Sequence, residues 1–581
     1  MRRIFRGDTS PTYRSVTSWI PTPSICVPPW PHNPSTAASA SRCRARCIST
    51  WTSSSASRKS CSASLAARPA PPASISATIS SAASSSTPTW RCRQPGWRKT
   101  SSRPDMRELP ELGVGMVCLP GLEAFIEAAH ELIDVIEIEP QPLWFKSAAA
   151  AVPYAVNTGA LAQLCADPHP KLVHGIGFPV GGSVAPEPDQ VALFVDVIKA
   201  LGASWASEHL SFSRVDGAAG MFNTGFLLPP LQSAQSVALA ASNIRALSAQ
   251  LPVPFAFETG VNYLRPLPGE MSDGAFFGAI AEEADCAILL DLHNLWCNER
   301  NGRQGVLAAL DDMPLERVCE VHLAGGDHLD GYYLDAHSGL VPPELMQLAH
   351  KVLPRLPNLK ALLFEIVPAY MSARTIGQGE LTAQLRDLRQ LWNERSKSLQ
   401  VACGTPRPMA RTITAADSAL PSPTEWERAL AGRVLESDAD APFAQVFDAD
   451  NGVAVLRQLV AAVRSGTIVD SMTLSYRLIV LSLGEPAFLS LLRAFWKTRP
   501  PEPFATEEAL NFAEFLRTQG LAIPHLDEVL AFELASHQVR MYAQHKTVRF
   551  TCSPLPLLMA LRQARMPDFA DHGDFALTIE P

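Results

Sequence analysis

The stretch ILLDLHNLW, residues 288–296, begins as a buried β-strand and ends in side chains that commonly bind metals. The apolar run at residues 288–290 is typical of a strand that is covered on both faces. Asp291, His293 and Asn294 then follow within four positions. An apolar strand that ends in this way indicates that a functional site lies at its carboxyl end, as in parallel α/β folds.

Short apolar runs of the same kind alternate with longer amphipathic runs from residue 111 onward. The predicted strands are residues 112–117, 134–140, 171–178, 204–212, 254–259, 286–294, 317–325 and 361–367. Helical spacing fills the gaps, for example at residues 120–132, 189–202, 233–251 and 343–353. Eight βα units predict an α/β protein with a (β/α)₈ TIM barrel over residues 106–395.

The segment 1–105 differs sharply in composition from the rest of the chain. It carries 15 Lys and Arg against two acids, Asp8 and Asp105, or +13, whereas the remainder carries 34 bases and 55 acids, or −21. We expect this low-complexity basic segment to be disordered or to result from a start assigned too far upstream, with ordinary patterning beginning at Met106. A transit peptide is the third interpretation, although the richness in Pro and Trp is unusual for one.

The acidic remainder argues against general nucleic-acid binding, because phosphate contacts need clustered bases. The sequence contains no run of about 18 apolar residues, so we expect no transmembrane helix. Seven cysteines beyond residue 105 are scattered singly (Cys118, Cys165, Cys286, Cys297, Cys319, Cys403 and Cys552), which favours a reducing cytoplasm over a disulfide scaffold. We therefore expect a cytoplasmic protein without a membrane partner.

A second domain follows the predicted barrel. Residues 396–423 are rich in Pro and Thr and are predicted to be a linker, whereas residues 424–581 show mainly helical periodicity. Thr424 and Glu427 have the spacing of a capping box at the start of the first helix.

Nearly every predicted barrel strand ends in a residue that can bind a metal. These residues are Glu137, Glu139, His174, Glu208, His209, Glu258, Asp291, His293, Asn294, Glu320, His322 and Glu365, and a later loop adds Asp335 and His337. A single histidine at a strand end is more often structural than a ligand. Burying so many carboxylates and imidazoles at one end is unfavourable unless cations compensate them, so the pattern predicts a metal site. Without converging cysteines, the ligands suit iron, manganese or zinc, and their number indicates two or three ions.

Seven short motifs follow one another along the predicted barrel: LVHGIGF, SEHLSFS, FETGVNYLRP, the segment 270–298, RVCEVHLAGGD, DAH and LLFEI. Together they resemble the domain-of-unknown-function 692 family of multinuclear non-haem iron-dependent oxidative enzymes, which are MbnB-like. The resemblance covers about residues 110–395. It implies a TIM barrel that holds two or three irons and uses dioxygen to modify ribosomally made peptides, usually at cysteine.

The matching motifs imply a set of ligands. Those carried over are His174, His209, Glu258, Asp291, His322, Asp335, His337 and Glu365, and Glu258, Asp291 and Glu365 are also the expected catalytic residues. His293 stands where the family often has Asn, and we expect it to reach a metal on the same strand face as Asp291. Glu139 replaces a histidine that is common in the family, so neither it nor Glu208 is assigned a role.

The C-terminal region resembles a domain-of-unknown-function 2063, or MbnC-like, partner that is normally a separate chain. The resemblance rests on Tyr476 and Arg477, FWKTRPP and LDEVLAFELA, and a generic helical bundle is the alternative interpretation. It implies that a fused partner domain presents a Cys-containing precursor peptide to the barrel.

The expected activity is that of a non-haem iron-dependent, peptide-modifying oxidoreductase in peptide biosynthesis. A xylose-isomerase-like or endonuclease-IV-like barrel with another divalent metal is the alternative, because those barrels also carry His, Glu and Asp at their strand ends. A non-catalytic metal-binding protein is a third possibility.

Overall fold

The computed structural model describes residues 108–147, 153–217, 220–373, 376–399, 420–436, 443–542, 544–568 and 571–580. The prediction for residues 1–105 lies outside these ranges. Most of the predicted linker, 396–423, also lies outside them, between a helix that ends at Leu399 and one that begins at Pro423.

Eight parallel strands form the closed barrel that the sequence predicts. They are β1 (Gly113–Val117), β2 (Val135–Ile138), β3 (Lys171–Gly175), β4 (Ala206–His209), β5 (Phe255–Glu258), β6 (Ala287–Asp291), β7 (Val318–Leu329) and β8 (Ala361–Glu365). Each strand pairs with its neighbours in the chain order, and β8 returns to pair with β1. The pairing of β6 with β7 completes the ring.

Helices cover the outside of the barrel, as is usual for this fold. They are Glu123–Ala128, Thr158–Ala166, Pro188–Leu201, Ala234–Ser248, Asp273–Ala284, Leu292–Arg300, Val306–Asp312, Pro343–Val352, Pro368–Ala373 and Gln378–Leu399, with 3₁₀ turns at His130–Leu132, Gln141–Leu143, Leu315–Arg317 and Leu353–Arg355. The short antiparallel pairs Trp144–Lys146 with Tyr154–Val156, and Phe212–Gly217 with Gly220–Leu228, lie outside the ring. A strand Tyr332–Gly339 forms a hairpin with the far end of β7.

The barrel interior is apolar at one level and polar at the next. Val135, Leu172, Trp205, Leu289 and Leu363 belong to one buried cluster inside the ring. The indole Nε1 of Trp205 donates to Glu320 Oε2 at 2.8 Å, which joins this cluster to a layer of buried acids and histidines. The apolar cluster therefore forms a floor beneath the carboxyl ends of the strands.

The C-terminal region is mainly helical, as predicted. Its helices are Pro423–Leu435, Asn451–Ser471, Thr473–Leu483, Glu485–Trp496, Ala505–Thr518, Leu526–Tyr542 and Pro554–Arg562, with a 3₁₀ turn at Ala444–Phe447 and a hairpin of Lys546–Cys552 with His572–Ile579. We call residues 420–580 the helical body.

The predicted capping box at Thr424 and Glu427 is wrong by two residues. The capping residue is Ser422, whose side chain accepts from the backbone N–H of Glu425 while the Glu425 carboxylate accepts from the backbone N–H of Ser422. The helix starts at Pro423, earlier than the predicted capping box implies, because proline is well suited to the first helical position. Glu427 is consequently a buried interior residue of the helix.

The helical body packs against loops that follow the carboxyl ends of the barrel strands. The indole Nε1 of Trp426 donates to the Pro229 carbonyl at 3.0 Å, and the Glu427 carboxylate accepts from the backbone N–H of Ser183 at 2.7 Å and from its hydroxyl. Residues of both regions share one buried apolar cluster, which includes Phe212, Leu228, Tyr263, Leu334, Trp426, Leu430, Val453 and Leu456. The helical body therefore lies on the end of the barrel where a TIM-barrel active site is found.

The helix Asn451–Ser471 is long and apolar enough to cross a membrane by length and composition alone. Half of its most apolar window is buried within the protein, and Val453, Val455 and Leu456 belong to the cluster shared with the barrel loops. A core helix of a globular body passes the same test. The six described cysteines form no disulfide with one another.

Candidate metal centre

The strand register brings the polar strand ends to a common level. His209 on β4 is the pairing partner of Glu258 on β5, and Asp291 on β6 is the partner of His322 on β7. Paired residues of parallel strands lie side by side, so their side chains reach the same face of the sheet. The barrel thus gathers these four side chains at one end of its interior.

The first group of candidate ligands is His174, His209 and Glu258. Glu258 Oε2 lies 3.2 Å from His174 Nε2 and 2.5 Å from His209 Nδ1, and the two Nε2 atoms are 3.1 Å apart. The hydroxyl of Ser207 contacts His174 Nδ1 at 2.7 Å and fixes the ring orientation. His174 Nε2 is thereby directed toward Glu258.

The second group surrounds His322, which is fully buried. Its Nε2 lies 3.1 Å from Glu137 Oε1 and 3.6 Å from Glu320 Oε1, and its Nδ1 lies 3.3 Å from Glu365 Oε1. These carboxylates come from three different strands, so the imidazole stands between acids on two sides.

Asp291 links the groups. Its carboxylate approaches both the Glu258–His322 pair and the His337–Glu365 pair closely enough to share a metal ion with either. Asp291 also caps the helix Leu292–Arg300, because its Oδ1 accepts from the backbone N–H of Asn294 at 2.8 Å. Its Oδ2 is buried and makes no hydrogen bond to the described residues.

The predicted strand position of His293 is wrong. The strand ends at Asp291 and His293 lies in the first turn of the following helix, because the Asp291 side chain caps that helix. The alternation that was expected to bring His293 beside Asp291 therefore does not apply. His293 is nevertheless fully buried, and its Nδ1 lies 3.1 Å from Asp335 Oδ1.

The hairpin after β7 brings Asp335 and His337 to the barrel mouth. His337 Nε2 lies 2.9 Å from Asp335 Oδ1 and 3.1 Å from Glu365 Oε2. His337 has a left-handed backbone (φ 46), which a non-glycine residue seldom adopts without support from its surroundings. Seven of the nine predicted ligands thus belong to converging groups, while His293 and Asp335 form a pair that contacts those groups through His337.

Many of these buried atoms approach one another without forming hydrogen bonds. Nine of these atoms have no hydrogen-bond partner among the described residues. They are both carboxylate oxygens of Glu137, both ring nitrogens of His322, Glu258 Oε2, Asp291 Oδ2, Glu320 Oε1, His337 Nε2 and Glu365 Oε2. Several of these atoms nevertheless lie within ion-pair distance of one another, as Glu258 Oε2 does from His209 Nδ1 and His322 Nε2 from Glu137 Oε1, so the imidazoles and carboxylates partly compensate one another's charge. Nitrogen and oxygen atoms that point to common centres are the arrangement expected of ligands, so these residues fit bound cations.

The pKa values differ among the buried carboxylates: burial alone would raise those of Glu258 and Glu365, but neighbouring histidines lower them, whereas in other carboxylates burial outweighs such compensation. Burial raises the pKa of Glu137 well above its usual range, and the neighbouring Glu320 raises it further. Burial, followed by Glu258 and Asp335, does the same for Asp291. Burial also raises the pKa of Glu139 and of Glu208 to about 7. Cations at the mouth would restore the ionised form of these carboxylates.

The structure adds residues that the predicted ligand set did not contain. Glu137 and Glu320 join His322, and the alternation of strand residues could have shown that Glu320 shares a face with His322. Asn294 Nδ2 donates to Glu258 Oε1 at 3.2 Å, and the phenolic oxygen of Tyr263 accepts from the backbone N–H of Asp335. No sequence signal predicted the Tyr263 contact, because it joins two loops that are distant in the chain.

Comparison with known proteins finds a family match over the part of the chain that contains this site. The family model described as RiPP precursor modification enzyme MbnB/TglH/ChrH matches residues 123–374, which contain all the candidate ligands. A UPF0276 protein of Streptomyces avermitilis is 30% identical over 247 residues, 42% of this chain and 48% of that protein, so the chain spans about half the length of this relative.

Solved structures are similar at a low level. An L-ribulose 3-epimerase has a TM-score of 0.32 and 15% identity, and it covers 50% of this chain and 99% of its own. A D-allulose 3-epimerase from Methylomonas sp. has a TM-score of 0.31 and 15% identity over 50% of this chain and 97% of its own. At these scores the likeness says nothing about the chemistry of the site.

A UPF0276 protein of Neisseria meningitidis serogroup B is 31% identical over 193 residues, which is 32% of this chain and 67% of that protein. Together with the family model over the barrel, this relationship places the chain in the MbnB/TglH/ChrH family of RiPP precursor modification enzymes.

Proposed function

We propose that the protein is a multinuclear non-haem iron oxidase that uses dioxygen to modify cysteine residues of a ribosomally made precursor peptide. The observation that carries the proposal is the set of buried imidazole and carboxylate atoms that converge at the barrel mouth without hydrogen bonds of ordinary geometry. Family membership supports the precursor peptide as the class of substrate. Cysteine as the reacting residue, and iron with dioxygen as the reagents, rest on the motif resemblance.

The donor set suits iron. His174, His209 and Glu258 would hold one ion, and Asp291, His337 and Glu365 would hold another, with Glu258, Asp291 and His322 between them. Imidazoles and carboxylates without a thiolate are typical ligands of non-haem iron. When bound, iron would supply redox chemistry and lower the pKa of a substrate thiol.

The protein residues would position the ions and exclude water. Glu258 and Asp291 each belong to two of the ligand groups, so they are the residues best placed to bridge neighbouring ions. Ser207 and Asn294 would orient His174 and Glu258 through their hydrogen bonds. The apolar floor that includes Trp205 and Leu289 closes the opposite side, so a substrate would enter from the mouth.

The helical body would present the peptide, as the MbnC-like resemblance implies. It lies against loops at the same end of the barrel as the candidate ligands. It also contains an open groove of about 540 Å³ between the helix Leu526–Tyr542 and the strand Lys546–Cys552, with Arg517, Asp527 and Arg549 in its lining. Fusing a peptide-binding domain to the barrel would raise the local concentration of substrate at the mouth.

Metal analysis of anaerobically purified full-length protein, followed by oxygen-uptake measurements, tests the proposal. The probe is a synthetic Cys-containing peptide encoded by a short reading frame beside this gene, and its Cys→Ser version is the control. We expect at least two iron ions per chain and oxygen uptake only with the Cys peptide. The variants Asp291→Asn and Glu365→Gln should lose iron and activity, whereas Glu344→Gln at an exposed position of the helix Pro343–Val352 should retain both.

Two outcomes would overturn the proposal. Zinc without iron would favour the isomerase-like or phosphodiesterase-like alternative. Bound iron without oxygen uptake in the presence of the Cys peptide would favour a non-catalytic metal-binding protein.

A further inference from the structure

A second group of metal-binding side chains lies in the helical body, apart from the barrel. A ring nitrogen of His525, a carboxylate oxygen of Glu528 and the Sγ atom of Cys552 all lie within 4.8 Å of one another. His525 directly precedes the helix Leu526–Tyr542, Glu528 is in its first turn, and Cys552 ends the strand Lys546–Cys552. We propose that these three side chains form a site for a thiophilic divalent cation, zinc above all, distinct from the barrel centre.

The three donor atoms converge on one point. His525 Nδ1 lies 3.0 Å from Glu528 Oε2 and 3.5 Å from Cys552 Sγ. Zinc bonds of about 2.0 to 2.3 Å in a tetrahedral arrangement place neighbouring ligand atoms about 3.3 to 3.7 Å apart. The two separations from His525 Nδ1 are close to these values, and the third lies within 4.8 Å, so small side-chain movements would admit the ion.

The same geometry argues against a catalytic Cys–His–Glu triad. In a triad the acid contacts one ring nitrogen and the nucleophile contacts the other. Here the single atom Nδ1 of His525 faces both the carboxylate and the thiol. Cys552 is also fully buried, so no substrate can reach its sulfur.

Surrounding hydrogen bonds hold Glu528 in the orientation that a ligand needs. Its Oε1 accepts from the backbone N–H of Thr551 at 2.9 Å and from the Thr551 hydroxyl at 2.5 Å. Oε2 is therefore the oxygen that faces His525. Hydrogen bonds of this kind orient carboxylate ligands at metal sites.

Charge also favours a cation at this position. The Glu528 carboxylate lies beside the His525 imidazole and the Cys552 thiol, so the three side chains carry net negative charge once the thiol is deprotonated. On binding, the S–H bond breaks, a metal–sulfur bond forms and the proton leaves to solvent, with no change in oxidation state. A bound divalent cation would offset the negative charge of Glu528 and of the thiolate.

The cation would join two walls of the groove in the helical body. Glu528 lies on the helix Leu526–Tyr542 and is part of the groove lining, and Cys552 ends the strand that contributes Lys546 and Arg549 to the opposite wall. A metal bond between them would fix the spacing of these walls. The site would then be structural, with a stabilising effect on the helical body.

Cobalt(II) titration of the full-length protein, stripped of metal and kept reduced without oxygen, tests the proposal. Cobalt bound to a thiolate gives a charge-transfer absorption that imidazole and carboxylate ligands do not give, so the barrel ligands do not contribute to it. We expect a saturable band that zinc removes and that is absent in Cys552→Ala. The band should persist in two control variants at other buried cysteines. These are Cys319→Ala and Cys297→Ala, the second of which is beside His293 in the barrel.

Two further variants keep the test informative if Cys552→Ala does not fold. Glu528→Gln retains an oxygen for Thr551 but removes the charge, and it should weaken cobalt binding at least about tenfold, as should His525→Gln. Glu365→Gln in the barrel should leave the band unchanged, which separates this site from the proposed oxidase centre. The proposal is wrong if no thiolate band forms, if the band survives in Cys552→Ala, or if the affinity is unchanged in Glu528→Gln and His525→Gln.

Discussion

The backbone N–H of Asp335 donates a hydrogen bond to the phenolic oxygen of Tyr263, with an N–O distance of 3.0 Å. Tyr263 is buried and lies in the loop that follows β5. Its backbone carbonyl faces Gly452 of the helical body so closely that a Cβ atom at position 452 would collide with the carbonyl oxygen. One residue therefore contacts a candidate ligand with its side chain and the helical body with its backbone. The position of the helical body and the position of Asp335 are physically linked.

Replacement of Tyr263 by Phe should weaken metal binding at the Asp335 side of the centre. The N–H of Asp335 would lose its acceptor, and the loop that carries Asp335 and His337 would be less well positioned. We expect about a 10- to 100-fold loss of affinity for the most weakly held ion, as for other losses of supporting hydrogen bonds. Iron titration of the anaerobic apoprotein measures this affinity.

Tyr332→Phe is the matched control for this variant. Tyr332 packs edge-on against Tyr263 with ring centroids 6.4 Å apart, so its substitution preserves the aromatic contact. Equal losses in both variants would show that the hydrogen bond to Asp335 is not the cause.

Replacement of Ser207 by Ala should affect the opposite side of the centre. The Ser207 hydroxyl holds His174 Nδ1 at 2.7 Å, so its removal frees the ring to rotate away from Glu258. We expect a loss of iron affinity of about 10- to 100-fold without loss of fold. Ser338→Ala is the control, because the buried Ser338 hydroxyl has no hydrogen-bond partner among the described residues. Unchanged iron affinity in Ser207→Ala would remove Ser207 from the centre.

The barrel and most of its candidate ligands could be predicted from the sequence because both follow from strand alternation. Apolar runs of strand length located the eight strands, and the polar residue at each carboxyl end faced the mouth, as for His174, Glu258 and Asp291. Glu320 was identified as a strand residue but was not assigned to the centre, although it lies two positions from His322 on the same face.

Contacts between distant loops could not be predicted in this way. His293 was expected on a strand, but the Asp291 side chain caps a helix that starts one residue later. Glu427 had the spacing of a capping residue, yet it binds Ser183 across 244 positions of sequence. The Glu427 contact depends on how the helical body sits on the barrel, and local periodicity carries no information about that, whereas the Asp291 cap is a local signal that strand alternation alone does not contain.

Replacement of Gly452 by Ala should loosen the contact between the helical body and the barrel. The new Cβ would meet the backbone carbonyl of Tyr263, which cannot move as a flexible side chain would. Overpacking of this kind costs about 1 to 3 kcal/mol. We expect a lower midpoint of thermal unfolding and reduced iron affinity in the same variant, because Tyr263 also supports Asp335.

Gly466→Ala in the same helix provides the control. A Cβ atom at Gly466 would have open space around it, and Ala favours a helix over Gly by about 0.5 to 1 kcal/mol. This variant should be as stable as the parent or more so, with normal iron affinity. Equal destabilisation of both variants would contradict the collision with Tyr263.

His537 should contribute a loss of helical-body stability as the pH falls from about 6.5 to about 4, whereas Glu533, whose pKa burial raises to about 7, contributes in the opposite direction. The Nε2 of His537 must donate to the Ser471 carbonyl at 2.6 Å, since a carbonyl only accepts, and its Nδ1 must accept from Arg540, since a guanidinium only donates. Only the neutral imidazole satisfies both contacts. Burial, and then Arg540, lower the pKa of His537 from 6.5 to about 4.

The sign of the effect follows from proton linkage. Between these two pKa values the unfolded chain binds a proton at His537 and the folded chain does not, so the contribution of His537 to the free energy of unfolding rises with pH and is complete above about 6.5. A single proton gives a slope of at most about 1.4 kcal/mol per pH unit. In His537→Gln, whose amide can still donate to Ser471, the slope measured by denaturant unfolding should be smaller between pH 4 and 6.5. Identical slopes in the parent and in His537→Gln would show that His537 is charged in the folded protein.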